Sequence, residues 1–443
     1  MRPPGHLSAA IEVLAALDAR TRPAGDALKE WGLAHRFAGS GDRAAIAGLV
    51  YDALRRRASS AWIMGENTPR AVLLGMLKLA RGLDTDAIAR FCDGSQHAPA
   101  PLTDAERARL DSANLTDAPA HVRGDYPEWL DAQLAETFGD ARAEEGAALA
   151  TRAPLDLRVN TLETDREKAL TSLAHLNPAE TRWSPRGLRV QLTAEGRQPP
   201  VTSEPLFQKG GFEIQDEGSQ LAALLSGAKA GEQVLDLCAG SGGKTLALAA
   251  QMENRGQIFA YDDDLRRLAP IHDRIKRSGA HNIQVRSPRR PAGRPKNESN
   301  SSPNVLADLV GHMDLVLIDA PCTGTGVWRR NPDAKWRMRP GALEIRVREQ
   351  QALLDQAVGF LKPGGRIAYV TCSVLDAENG AQLRGFLSRR RDFAAVPVAE
   401  VAQALGDRGA ILRAAALASG EGLLLTPRRT DTDGFFVSVL RSP

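Results

Sequence analysis

From residue 231 onward the chain alternates short apolar runs with stretches of helical period, and no other feature constrains the fold as tightly. Residues 233–237, 257–261, 315–318 and 366–370 read as strands, and 244–252 as the helix between the first two. Parallel strands need a crossover helix, so the alternation predicts a parallel, doubly wound α/β sheet. Such sheets bind ligands just beyond the carboxyl ends of their strands. The residues following each strand are therefore the ones to inspect.

After the first of these strands comes D-L-C-A-G-S-G-G-K-T, with Gly240, Gly242 and Gly243 in the turn. Glycine lets the backbone approach a nucleotide-like ligand closely, although a tight strand-to-helix connection would use the same residues. A phosphate loop would need Gly at position 238, which is Cys238, and a dinucleotide fingerprint would need Gly at 245, which is Thr245. Asp262 ends the next strand about 20 residues on, where a carboxylate can accept both ribose hydroxyls. Asp263 and Asp264 read as helix caps.

Two other strands end in cysteine-containing turns: Asp319-Ala320-Pro321-Cys322 and Thr371-Cys372-Ser373. A lone cysteine at such a place is usually a small buried residue. Two at the same sheet edge, one preceded by a carboxylate, suggest chemistry. Carbon 5 of cytosine accepts a methyl group only after a thiolate has added to carbon 6. A second thiol can then assist expulsion of the first as acid or base. Asp319 is suited to hydrogen-bond the exocyclic amine or ring nitrogen 3.

Length and composition frame the rest. With 443 residues, 43% hydrophobic and 25% charged, the chain has room for two or three domains and the balance of a soluble protein. Glu12 and Asp18 interrupt the apolar start that a secretory signal would need, and no apolar run is long enough to span a membrane. A cytoplasmic protein with reduced thiols is expected. The four cysteines form no C-x-x-C pair and the eight histidines no metal-ligand spacing, so no metal is expected.

A net charge of +3 is a weak argument for nucleic acid, so local clusters must carry it. Arg329, Arg330, Lys335, Arg337 and Arg339, interleaved with Trp328 and Trp336, read as a loop at a substrate mouth, with core aromatics as the alternative reading of the two tryptophans. There the cations would pair phosphates and the indoles stack on bases.

Three domains are expected: all-helical 1–125, a linker helix with a small α+β domain 126–204, and the α/β domain 205–443. The helical part rests on periodic positions such as Ile11, Leu14 and Leu17, then Ile46, Val50 and Leu54. A linker helix is expected over 128–138. In the linker domain, 155–159 and 188–192 read as strands and 165–176 as a helix. Residues 291–304, rich in Pro, Asn and Ser, read as a mobile surface loop.

With these motifs assembled, the chain resembles the bacterial small-subunit ribosomal RNA cytosine-5 methyltransferases of the Sun/Fmu type. The shared segments are L-R-V-N (157–160), Q-D-E-G-S-Q (215–220), the glycine turn, D-A-P-C-T-G-T-G (319–326), N-P-D-A-K-W (331–336), Y-V-T-C-S (369–373) and D-G-F-F (433–436). The resemblance implies a Rossmann-like, S-adenosylmethionine-dependent methyltransferase domain acting on RNA. It implies that Cys372 attacks and Cys322 assists release. It also implies that Cys238, Ala239, Gly240, Ser241, Gly242, Gly243, Lys244 and Asp262 hold the cofactor, and that Asp319 lies where cofactor and cytosine meet. Lys244 would orient these groups, Arg158 and Asn160 would touch RNA, with strand-surface residues as their alternative reading, and Phe435 and Phe436 would pack in the core where D-G-F-F ends the sheet.

The stretch 41–57, with Arg55 to Arg57 at its basic end, is similar to the RNA-binding domain of the antitermination factor NusB, which favours ribosomal RNA as substrate. A purely structural helix with a solvated basic end is the alternative reading of that stretch. Two departures from the family pattern stand out. Gly240 and Ser241 replace Ala and Pro in the turn, and the carboxylate expected after the third strand to hold adenine is absent. Arg286 and Ser287 stand there instead, and Ser287 or a backbone group is the expected adenine partner. The same chemistry on transfer RNA, or a non-catalytic RNA-binding assembly factor, are the rival readings.

Overall fold

The computed structural model describes residues 1–19, 22–192, 199–288 and 305–442. The expected loop at 291–304 lies outside the described residues. The chain forms two compact units. One comprises Met1–Ala153 with Val327–Pro340, the other Pro154–Gly326 with Gly341–Pro443.

The first unit is helical. Pro3–Ala19, Ala24–Ala34, Ser40–Arg55, Arg57–Met64 and Pro69–Leu79 are its longer early helices. Their starts are chemically marked: Thr68 caps Ala71 N ahead of Pro69, and Thr103 and Glu106 form a capping box. Leu14, Ile46, Val50 and Leu54 are buried in one core, with Ile11 and Leu17 packed against it. The helix expected at 128–138 is a 3₁₀ turn, Glu128–Leu130, running into Asp131–Phe138. By its contacts it falls within this unit.

The segment Val327–Pro340 corrects an expectation. Trp328, Arg329 and Lys335 are each 1% exposed, so they form part of this unit's interior rather than a basic, aromatic mouth. Lys335 Nζ donates to the carbonyl oxygens of Arg55 at 3.0 Å and Asp125 at 2.5 Å, and Trp336 Nε1 to that of Leu54 at 2.6 Å. The basic end of the NusB-like stretch is also engaged internally. Arg55 donates to the carbonyl of Arg329, Arg56 meets Asp125, and Arg57 meets Asp18 and Asn67. Cations and indoles that can read RNA can equally cover helix ends, and sequence spacing does not separate the two uses.

The second unit holds two sheets. In the small one, β1 (Leu155–Val159), β2 (Ala179–Glu180), β3 (Gly187–Val190) and β4 (Phe212–Ile214) take the order β2-β3-β1-β4, all antiparallel. The expected helix at 165–176 is present as Arg166–Ser172, capped by Asp165, followed by a 3₁₀ turn.

The large sheet contains β5 (Gln233–Asp236), β6 (Gln257–Tyr261), β7 (Ile283–Arg286), β8 (Met313–Asp319), β9 (Leu361–Thr371), β10 (Ala394–Ala395), β11 (Leu417–Ala418), β12 (Leu423–Leu425) and β13 (Phe435–Arg441). Its order is β11-β12-β13-β9-β8-β5-β6-β7, with β10 paired to β13. The five strands from β9 to β7 are parallel, as expected, while β13 runs antiparallel to β9. Phe435 and Phe436 are buried, but their strand lies between β9 and β12 instead of ending the sheet. Val234, Leu315, Leu317, Ala368 and Val370 are fully buried, the near-continuous apolar pattern of a sheet covered on both faces.

Candidate active site

At the carboxyl end of β5 the chain turns sharply through Gly240 (φ +50°) and Gly242 (φ +85°) before the helix Gly243–Gln251. A Cβ on Gly242 would lie 2.4 Å from Ile271, so both the backbone angle and the packing require glycine there. Asp262, just past β6 and 2% exposed, accepts from Gly240 N–H at 2.9 Å. Asp264 caps the following helix as expected. Ser287 is exposed immediately beyond β7, and Arg286 beside it pairs with Asp308 at 2.8 Å.

Acidic groups converge on this turn. Burial, followed by the charges of Asp236, Asp319, Asp262 and Asp263, pushes the Cys238 thiol well above its usual range. Asp236, fully buried at the end of β5, accepts from the Thr245 hydroxyl at 2.7 Å through Oδ2, while Oδ1 has no hydrogen-bond partner among the described residues. Burial raises its pKa to about 7. An orphaned buried carboxylate oxygen, an acidic surround and a glycine cradle fit a cationic nucleoside such as S-adenosylmethionine. Sequence reasoning missed Asp236; its place directly before the turn was the available signal.

Adjacent strands bring the other functional groups together. Asp319 ends β8, and its carboxylate pairs with Lys244 Nζ at 2.7 Å. The Lys244 side chain is 8% exposed, and its ammonium also lies 5.0 Å above the Phe435 ring. Cys322 follows β8 and Cys372 follows β9, and their sulfurs are 3.3 Å apart. Both are half-buried free thiols. The hydrogen bond to Cys372, then burial, then the Cys372 and Glu378 charges hold the Cys322 thiol well above its usual range.

Several bonds tie the two cysteine turns together. Gly326 N–H donates to the Cys372 carbonyl at 2.9 Å, and Val374 N–H to the Thr325 hydroxyl at 2.9 Å. A Cβ on Gly326 would stand 2.2 Å from the Gly434 carbonyl oxygen, so D-G-F-F supports the cysteine turn through backbone contact.

Arg158 and Asn160, expected to touch RNA, do something else. Both are 4% exposed. Arg158 donates to the Gly243 carbonyl at 2.7 Å and to the Gln215 side chain, and Asn160 to the carbonyls of Gly210 at 2.9 Å and Ser278 at 2.8 Å. They brace the glycine turn and the small sheet from within. The sequence placed them in a strand, but which face that strand buried depends on its partners.

Comparison with known proteins accords with this geometry. Residues 223–441 match the family model described as 16S rRNA methyltransferase RsmB/F, and 126–195 match the RsmF/B-like ferredoxin-like domain. The probable ribosomal RNA small subunit methyltransferase B of Synechocystis sp. is 32% identical over 342 residues, covering 76% of this chain and 72% of that protein. Ribosomal RNA small subunit methyltransferase B of Sodalis glossinidius is 31% identical over 358 residues, covering 80% and 71%. The crystal structure of a methyltransferase homolog from Pyrococcus horikoshii superposes with a TM-score of 0.56 at 25% identity, covering 73% of this chain and 98% of that one. The chain therefore belongs to the RsmB/F family of S-adenosylmethionine-dependent small-subunit ribosomal RNA methyltransferases.

Proposed function

We propose that this protein methylates carbon 5 of a cytosine in small-subunit ribosomal RNA, with Cys372 as nucleophile and Cys322 as the group that assists release. The observation carrying this reading is the 3.3 Å approach of two free thiols at the carboxyl ends of adjacent parallel strands, beside a carboxylate and the glycine turn. One thiol suffices for addition. A second, kept protonated, has its use when the first must leave.

In this reading the Cys372 thiolate adds to carbon 6, breaking the 5,6 double bond and making carbon 5 nucleophilic. Asp319, held by Lys244, hydrogen-bonds the amine or nitrogen 3 edge of the cytosine and stabilises charge that develops on the ring. Bound S-adenosylmethionine supplies an electrophilic methyl group. Cys238 to Lys244 and Asp262 would hold it, Asp262 at the ribose and Ser287 or a backbone group at the adenine. After methylation the carbon 5 proton passes to solvent water, which later restores the proton that Cys322 gives up, the ring double bond re-forms, and the carbon–sulfur bond to Cys372 breaks. Cys322, within hydrogen-bond reach of that sulfur, protonates the departing thiolate.

The helical unit is read as a NusB-like RNA-binding domain, supported by the helix Ser40–Arg55 within the matching stretch. The names of the relatives support ribosomal RNA as substrate. The test mixes Cys322→Ala protein with S-adenosylmethionine and unmodified small-subunit ribosomal RNA, then assays a denaturation-resistant protein–RNA adduct. An adduct that vanishes when Cys372→Ala is added is the expected result. An adduct with transfer RNA alone would move the substrate. No adduct with either RNA, and no methyl transfer by the parent protein, would leave a non-catalytic assembly factor.

A further inference from the structure

Glu378 is fully buried six residues beyond Cys372, and no motif above drew attention to it. Its carboxylate accepts from Thr323 N–H at 2.8 Å, from the Thr323 hydroxyl, and from Gln350 Nε2 at 3.0 Å. Thr323 directly follows Cys322. The next residue, Asn379, accepts from the Thr371 hydroxyl at 2.5 Å and donates to the Ser373 carbonyl at 2.9 Å, gripping both sides of Cys372. Two consecutive residues thus hold the two cysteine turns, one each.

Among the described residues no cation lies within ion-pair distance of Glu378. A buried carboxylate without a cation is costly and persists only where several donors converge on it. Three do so here, and two belong to the residue after Cys322. We propose that Glu378 is a positioning residue for the release step, fixing the Cys322 turn so that its thiol faces the Cys372 sulfur as the latter departs from the methylated base. This rests on the cytosine-5 reading above. The Glu378 charge also contributes to holding Cys322 protonated.

The test compares Glu378→Ala, Glu378→Gln and Cys322→Ala full-length proteins on unmodified small-subunit ribosomal RNA. Multiple-turnover rate, single-turnover methylation and denaturation-resistant adduct are measured across pH. In Glu378→Ala, turnover is expected to fall roughly tenfold to a hundredfold, the cost of a misplaced group. Single-turnover methylation should survive, and adduct should build up as in Cys322→Ala. Glu378→Gln keeps the shape, since the Thr323 hydroxyl can rotate to accept. It should recover turnover, with the alkaline limb of its pH profile moved to lower pH because the charge is gone.

Parent-like turnover in Glu378→Ala would overturn the proposal, as would equal loss of turnover and single-turnover methylation without adduct. If the alanine variant does not fold, Glu378→Gln and Thr323→Val decide: an unmoved pH profile in the first together with unslowed release in the second overturns it. Absence of adduct in Cys322→Ala itself would instead remove the cytosine-5 reading, and this inference with it.

Discussion

The Lys244 ammonium lies 2.7 Å from the Asp319 carboxylate and 5.0 Å above the Phe435 ring, so one buried cation joins the glycine-turn helix, the end of β8 and the start of β13. Asp319 side-chain exposure is 33%, so the carboxylate is only partly covered. Asp319→Ala is therefore expected to lower kcat by about 10²–10³, the usual loss when a transition-state hydrogen-bonding group is removed. Lys244→Met should lower kcat with little change in RNA affinity, because the carboxylate remains but loses its orientation. Steady-state kinetics separate the two, and a Lys244→Met protein with normal kcat would show that the ion pair does not orient Asp319.

Asp236 gives a pH dependence. Burial raises its pKa from 3.8 to about 7. The folded state therefore binds more protons between those values, and this group's contribution to stability is fully present below 3.8 and is lost as pH rises to about 7. Ionised, its unpartnered oxygen can accept from a cationic ligand. Cofactor affinity is expected to rise with pH up to about 7, by at most about tenfold per unit. Titration calorimetry at several pH values should show this rise, and Asp236→Asn should flatten it.

Lys335 has the opposite sign. Burial lowers its pKa from 10.5 to about 7, so the unfolded chain holds more protons across that window and stability should increase as pH rises through it. Urea midpoints measured at pH 7 and 9 should show the gain. In Lys335→Met it should disappear, and the carbonyls of Arg55 and Asp125 lose their donor.

Trp328 is 1% exposed, and its indole N–H has no hydrogen-bond partner among the described residues. Trp328→Ala should destabilise the protein by about 3–5 kcal/mol, the range for emptying a large core site. Trp328→Phe, which removes the unpaired donor and keeps an aromatic ring, should cost far less. If Trp328→Ala lowered RNA affinity at unchanged stability, the side chain would be a base-stacking platform after all.

Arg158 links the small sheet to the glycine turn through the Gly243 carbonyl at 2.7 Å. Arg158→Met is expected to weaken cofactor binding by roughly tenfold to a hundredfold, in line with the loss of a charged hydrogen bond. Filter binding of RNA should change much less, whereas a direct RNA contact would predict the reverse.

The α/β alternation, the glycine turn and both cysteines were legible in the amino-acid order because local period and strand-end position determine them. Residues 257–261 form a strand at the expected bounds, and Cys322 and Cys372 follow adjacent parallel strands. Distant contacts decided the rest. The Trp328–Arg339 run has the composition of a nucleic-acid surface, yet its tryptophan and lysine find helix ends and backbone carbonyls in the helical unit. Arg158 sits in a strand whose partners bury it, and Glu378 gains its meaning only from Thr323, 55 positions away. A side chain's type limits the bonds it can make, but the partner that claims those bonds is chosen when remote segments pack, and no local pattern records that choice.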